Sequence, residues 1–495
     1  MSERNGLRYG LLGLAVLALL AILLLLANRA DAPTGDVQPA PEAPAKIESL
    51  AAINGQAPSR RNLEIQTWQT AEGAKVLFVE ARELPMFDLR LTFAAGSSQD
   101  DGMPGLAMLT NAMLNEGVPG QDVGAIAAGF ESLGADFGNG AYRDMAVASL
   151  RSLSAADKRE PALQLFNQVL GQPTFPEDAL LRIKNQVLAG FEYQKQNPGK
   201  LASLQLFERL YGKHPYAHPS EGNEQSVPAI GREQLQAFHA KAYTAGNAVI
   251  ALVGDLSRGE AEALTAQVSA ALPAGPALPL IAQPDAPQAG LSHIEFPSNQ
   301  THLMIAQLGI DRRDPDYAAL YLGNQIFGGG GFGTRLMSEV REKRGLAYGV
   351  YSGFSAMQAR GPFMINLQTR AELSTGTLQL VKDMLRDYLA SGPTREELDN
   401  AKRELAGSFP LSTASNAAIV GQLGSMGFYD LPLSHLEDFM RAVQALTTEQ
   451  VKAAMAKHLD PDALVIVSVG PTVAQQELPP PGDKPVEQPS AVPEH

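Results

Sequence analysis

The chain carries the same strand pattern twice, and this repeat limits the possible folds more than any other feature. Residues 88–93 (DLRLTF) alternate apolar and polar side chains, as a half-buried strand does. Residues 301–308 (THLMIAQL) take the corresponding place further on. The run MAVASLRSL is matched by GPFMINLQT at 361–369, and VIALVG is matched by the strand at 464–470, LVIVSVG. Gly254 and Gly470 lie 216 residues apart, and Leu150 and Leu367 lie 217 apart. One offset kept across three strands predicts an α+β chain of two homologous domains, each an antiparallel sheet plus helices. In the first copy, apolar periodicity places helices over 106–114, 121–133, 158–169, 176–195, 201–211 and 231–243. The copies span 60–272 and 291–471, joined by a proline-dense linker at 273–290 where periodicity stops. Two similar domains joined in this way are expected to close around a ligand at their interface.

The remaining segments lie outside this repeat. Residues 10–27 are an unbroken apolar run of 18 residues preceded by Arg4 and Arg8. That is enough to cross a hydrocarbon core, with the N-terminus on the cytoplasmic side. A signal anchor over 1–30 is the expectation, with an Ala/Pro-rich tether at 31–59 and the folded part in a periplasm. The rival is a cleavable signal peptide, but Arg29 and Asp31 spoil the cleavage site. Residues 472–495 form a second Pro-rich segment, expected to be disordered. A net charge of -14 argues against nucleic acid as a partner, and the lack of cysteine excludes disulfides, thiolate metal sites and a cysteine nucleophile.

Within the second copy, the stretch 328–354, GGGGFGTRLMSEVREKRGLAYGVYSGF, is the most informative. A glycine run opens into a helix with Leu336, Met337 and Val340 on one face. Gly345 is placed to end that helix, and 346–354 reads as a strand. The glycines lack a following G-K-[ST], so they form no phosphate loop; a mobile hinge or a close backbone approach to substrate remains. Arg341 and Tyr348 can then converge on one side of the turn and hold a carbonyl or an anionic intermediate. On spacing alone, a surface arginine and a core tyrosine are the better account of them.

Taken together, the order, the offset and the runs DLRLTFAAGSSQDDGMPGLAMLTNAML, YGKHPYAHPSEG, FHAKAYTAGNAVIALVGD and GGGGFGTRLMSEVREKRGLAYGVYSGF resemble the pitrilysin/insulinase-type (M16) metallopeptidases. The likeness is strongest to bacterial members related to the mitochondrial processing peptidase and the bc1 core proteins. It implies two LuxS/MPP-like domains forming a clamshell half. It also implies that Arg341 and Tyr348 bind the substrate backbone near the scissile bond.

The departure from that family decides the expected activity. Active members carry H-x-x-E-H on the first helix, with two zinc-binding histidines and a glutamate base. Here Met108, Asn111 and Ala112 stand at those positions, and Gly190 stands where the third ligand is expected on the long helix. Glu192 lies about 200° around that helix and cannot substitute. Neither an amide nor a thioether makes a competent hydrolytic zinc site. The chain is therefore expected to hold no metal and to cut no peptide by itself. The pair His214 and His218, in KHPYAHP, is broken by prolines and reads as structural or surface rather than metal-binding.

Family relatives work as pairs, so the resemblance implies an H-x-x-E-H-bearing partner that holds zinc. This chain would then supply Arg341 and Tyr348 and bind extended peptide substrates by strand addition. The alternative is a peptide-binding or scaffold protein with no hydrolytic partner.

Overall fold

The computed structural model describes residues 63–482. The anchor at 10–27 and the tether at 31–59 lie outside the described residues. Among those described, no helix is long and apolar enough to cross a membrane.

The first domain contributes β1 (Gln66–Gln69), β2 (Lys75–Glu80) and β3 (Met86–Phe93). A short ribbon of β4 (Gly117–Val118) and β5 (Gln121–Asp122) follows, then β6 (Asp136–Ala141), β7 (Ala146–Leu153) and β8 (Ala248–Gly254). The second domain contributes β9 (Gly290–Glu295), β10 (Gln300–Leu308), β11 (Val350–Phe354), β12 (Pro362–Arg370) and β13 (Val465–Gly470). The first sheet runs β1-β2-β8-β3-β7-β6 and the second β11-β12-β10-β13-β9. Read in opposite directions, the orders coincide strand for strand, apart from the extra edge strand β1. Registers coincide too: Leu89 faces Leu150 across β3 and β7, and Leu303 faces Leu367 across β10 and β12.

The sheets are not wholly antiparallel. β2 runs parallel to β8, and β9 parallel to β13. In each copy the strand that closes the domain returns after a long helical excursion. Parallel pairing requires that kind of crossover, whereas a tight turn enforces the antiparallel sense.

β8 is buried along its whole length because both faces are covered. Ala248, Ile250 and Leu252 point into the first core, and Val249, Ala251 and Val253 point to the other side. What covers that second side comes from the other domain. Five helices matter for the function: α1 (Leu106–Ala112), α2 (Glu177–Gln194), α3 (Pro198–Tyr211), α4 (Tyr317–Asn324) and α5 (Asn416–Phe428). Ile419, Leu423 and Met426 of α5 pack on Leu77, Val79 and Val253 of the first sheet. Ala202, Leu206 and Leu210 of α3 pack on Ala306, Val465 and Val467 of the second. The two helices begin 218 residues apart, so equivalent helices are exchanged between the copies.

This exchange corrects the expectation that the two domains close around a ligand. Their shared faces are filled with apolar side chains and pinned by a buried polar knot. The Tyr216 hydroxyl bonds Asp144, whose Oδ2 accepts from the Gln358 N–H at 2.7 Å, and Ala359 N–H donates to Tyr216 Oη at 3.1 Å. Burial pushes the Asp144 carboxyl above its usual range. A second correction concerns the C-terminal segment, expected to be disordered from 472. Residues up to 482 are tied to the second domain; only those beyond lie outside the described residues.

Candidate functional site

Helix α1, where the resemblance puts the zinc motif, starts at Gly105 in a left-handed conformation (φ 96°). A Cβ there would meet the Glu221 carbonyl oxygen at 2.9 Å, so only glycine fits. The first turn is held by Asp100, whose two oxygens accept from Gly105 N–H at 2.8 Å and Ala107 N–H at 2.7 Å. Burial raises the Asp100 carboxyl to about 7, against those two hydrogen bonds, which favour the charged form.

Along α1 the metal-ligand positions have been absorbed into the fold. Met108 and Ala112 pack on the first core, with Val187 and Leu188 of α2. Asn111 is 2 % exposed. Its Nδ2 donates to Val147 O and Tyr243 Oη, both at 3.2 Å, and its own carbonyl accepts from Asn139 Nδ2 on β6 at 2.7 Å. The side-chain amide thus ties α1 to β7 and a buried tyrosine, and the backbone carbonyl of the same residue ties it to β6. A carboxamide is not a base near neutral pH, so it cannot deprotonate water. At Gly190 an added Cβ would meet nothing, and Glu192 is turned to Lys195 Nζ at 2.9 Å. These residues do not fit zinc.

The histidine pair is equally committed. His214 bonds the Ala282 carbonyl at 2.8 Å and accepts from Tyr216 N–H at 3.1 Å, while His218 Nδ1 lies 3.2 Å from Pro219 O. Elsewhere, Asp314, Asp316 and His458 have the spacing of a cation site. That position is taken by an ion pair, with Lys457 Nζ on Asp316 at 2.6 Å and His458 Nε2 at 2.9 Å.

The second domain presents a different picture. The glycine run begins inside one segment of π-helix, Gln325–Gly329, and precedes a second, Met337–Lys343. Such wide turns are rare and cluster at functional sites. The first glycines are close-packed: a Cβ on Gly328 would meet Ser352 Oγ at 2.5 Å, and one on Gly329 would strike the Asn324 amide. Asn324 and Ser352 are themselves locked, Nδ2 to Ser352 O at 3.0 Å and Ser352 Oγ to Asn324 Oδ1 at 2.7 Å. Only Gly331 and Gly333 need positive φ, 77° and 86°. Packing against Ser352 and Asn324 of the same chain accounts for the first two glycines.

Arg335 anchors the following helix through a two-pronged bond to Glu397, at 2.7 and 2.8 Å. Gly345 ends it with φ 58°, and Leu346 N–H reaches back to Val340 O at 2.9 Å, a left-handed stop of the Schellman kind. The strand begins only at Val350. Tyr348 thus sits in the connecting loop and not on the strand, because Thr369 Oγ1 takes the Leu346 carbonyl at 2.7 Å and delays pairing.

Arg341 and Tyr348 do converge. The guanidinium carbon lies 4.8 Å from the Tyr348 ring centre and 4.7 Å from that of Phe332. Tyr348 is 80 % exposed and Phe332 71 %. Tyr348 is therefore no core tyrosine. Among the described residues no carboxylate pairs with Arg341; the nearby Glu339 serves Lys343 and Arg344. Sequence reasoning missed Phe332, although a lone aromatic inside a glycine run was a visible signal.

A duplicated, helix-exchanged α+β fold with packed-over ligand positions defines a metallopeptidase scaffold without its metal. Comparison with known proteins agrees. Residues 75–224 match the model described as Insulinase (Peptidase family M16), and residues 229–405 that of the Peptidase M16 inactive domain. A crystal structure of a peptidase M16 inactive domain from Pseudomonas fluorescens is 76 % identical, with a TM-score of 0.83 over 84 % of this chain and 100 % of that one. The non-peptidase homolog YmxG of Helicobacter pylori is 27 % identical over 415 residues, 81 % of this chain and 94 % of that protein. An uncharacterized zinc protease of Mycobacterium bovis is 27 % identical over 305 residues, 60 % of this chain and 68 % of that one. The chain belongs to the M16 family, as a non-catalytic pseudo-peptidase.

Proposed function

We propose that this chain is the substrate-binding subunit of a heteromeric M16-type zinc peptidase, supplying Arg341 and Tyr348 to an H-x-x-E-H-bearing partner. The observation that carries the reading is the contrast in exposure. Asn111 is buried with its N–H groups committed, and Met108 and Ala112 are half-buried against the core, whereas the half-buried Arg341 guanidinium, with no carboxylate partner among the described residues, is held between two largely exposed aromatic rings. A pure scaffold has no use for that arrangement. Arg341 would hydrogen-bond a peptide carbonyl, and the Tyr348 hydroxyl would donate to the oxyanion that forms on it. Zinc and the general base would belong to the partner.

Extended peptides fit the free edge of the first sheet. β6 ends that sheet, and Asn139 ties it to the α1 helix. An added strand there would be read by backbone rather than by sequence. We further propose single-pass anchoring in the inner membrane through residues 10–27, with the folded part in the periplasm.

Co-expression with an H-x-x-E-H-bearing relative tests the reading. A stable complex with peptidase activity that neither chain shows alone is the expected result. Separate elution, with the relative fully active alone, would leave the scaffold reading in its place.

A further inference from the structure

A half-buried arginine in the first domain lacks an acidic partner. Arg143 follows the edge strand β6 by two residues. Its Nη1 donates to the carbonyls of Tyr216 at 2.6 Å and His218 at 3.0 Å, and its guanidinium carbon lies 4.0 Å from the Phe207 ring centre. Both acceptors are neutral. Among the described residues no carboxylate comes within ion-pair distance, and nothing accepts from Nε or Nη2. Burial pulls this guanidinium below its usual pKa, so the fold holds the charge at a cost. Half-buried Arg335 and Arg344 are each paired with a glutamate, Glu397 and Glu339. Arg143 lines a cavity of about 150 Å³ between the end of α2, the outer face of α3 and the loop 217–221. Lys200 and Ser203 of α3 line it too, with side chains that have no partner among the described residues, and Leu204 and Phe207 form an apolar wall. Its one carboxylate is the exposed Glu221. In a chain of net charge -14, this hollow is locally positive. Ligand pockets usually measure about 300–1,000 Å³, so this one has room for a single side chain.

We propose that this cavity is a carboxylate-binding subsite, taking an acidic side chain or the terminal carboxylate of a peptide. Nε and Nη2 form the fork that matches two carboxylate oxygens. Arg335 already uses those two atoms to grip Glu397, at 2.7 and 2.8 Å. Lys200 adds a second positive charge, and Ser203 Oγ a hydroxyl donor. The apolar stem of the bound residue would rest on Leu204 and Phe207. Glu221 makes the site selective, because it repels a doubly charged phosphate more than a singly charged carboxylate. That the peptide reaches this hollow along the edge of β6 rests on the substrate-binding reading above. The carboxylate site itself does not.

Calorimetry on the full chain tests the site without partner or turnover. The probes are an end-blocked alanine pentapeptide with a central glutamate, its glutamine counterpart, an acetylated alanine pentapeptide with a free C-terminus, and inorganic phosphate. We expect one carboxylate peptide to bind per chain, and the blocked glutamine peptide to bind about tenfold more weakly, since a charge-assisted bond is lost. Tight binding of the glutamate peptide assigns the site to side chains, and tight binding of the free C-terminus assigns it to chain ends. Lys200→Gln should weaken the carboxylate peptide about threefold and Arg143→Lys more, while Glu221→Gln should tighten it. Lys200 is exposed, so its variant keeps the test decisive even where Arg143→Lys does not fold. Neither carboxylate peptide binding better than the glutamine peptide, indifference to Lys200→Gln, or phosphate binding as tightly as the carboxylates would overturn the proposal. Peptide preference of the assembled complex is read separately. A subsite that calorimetry detects, in a complex that treats acidic and neutral peptides alike, counts against the substrate-binding reading and leaves the subsite standing.

Discussion

The two domains share a sheet order and register, yet their equivalent surfaces have gone opposite ways. In the first, the helix of the metal motif is drawn into the fold: Met108 and Ala112 join the core, and Asn111 is hydrogen-bonded on three sides. In the second, the glycine-flanked helix keeps Arg341 half-buried, stacked but unpaired among the described residues. Losing a ligand set exposes polar positions to replacement by whatever packs best. A surface kept for binding resists that drift, because its aromatic and cationic groups stay exposed at some cost in solubility.

The sharpest way to break the comparison is to put the base back. Asn111→Glu would set a carboxylate against Val147 O and Tyr243 Oη, where two donated bonds now lie. We expect a loss of about 3–5 kcal/mol, the usual cost of an uncompensated buried charge, and no activity. Denaturant unfolding measures it; a stable, zinc-binding variant would mean that the site had merely been silenced. Next come the exchanged helices. Leu206→Ala and Leu423→Ala each remove a fully buried side chain packed against the other domain, at about 2–5 kcal/mol. Both should lower a single unfolding transition. Two separate transitions would show domains that fold independently, with the helices a minor bond between them.

On the exposed side the effect should fall on chemistry and spare stability. Arg341→Ala is expected to cut turnover of the assembled complex at least about tenfold, near 1.4 kcal/mol, and Tyr348→Phe to cut it less. Unfolding midpoints should hardly move, since neither side chain is buried. Unchanged turnover would return the stack to a surface ornament. The smallest effect is a pH slope in the first domain. Burial lifts Asp100 from 3.8 to about 7, so the native state holds this proton more tightly than the unfolded chain does. Its contribution to stability is complete below about pH 4 and is lost as the pH rises through 7. Unfolding across that range should show a decline that Asp100→Asn flattens.

The sequence by itself determined a good deal. Period-two apolar runs and one recurring offset were enough to define the duplicated α+β architecture, because strand burial is written directly into alternation. Set against the motif of the family it resembles, the residues at 108, 111, 112 and 190 led to the expectation that no hydrolytic zinc site remains. Gly345 as a helix stop was legible for a local reason. Tertiary structure decided the rest. No local pattern says that α3 and α5 trade places, because an apolar helix face does not record which sheet it covers. Nor could spacing choose between a core and an exposed Tyr348. That choice lay with Thr369, which holds the preceding carbonyl from 23 residues away and keeps the tyrosine in a loop. The ordered segment up to Gly482 was hidden for a related reason. Its proline-rich composition has no period, and what orders it is a ladder of bonds to surfaces distant in the chain.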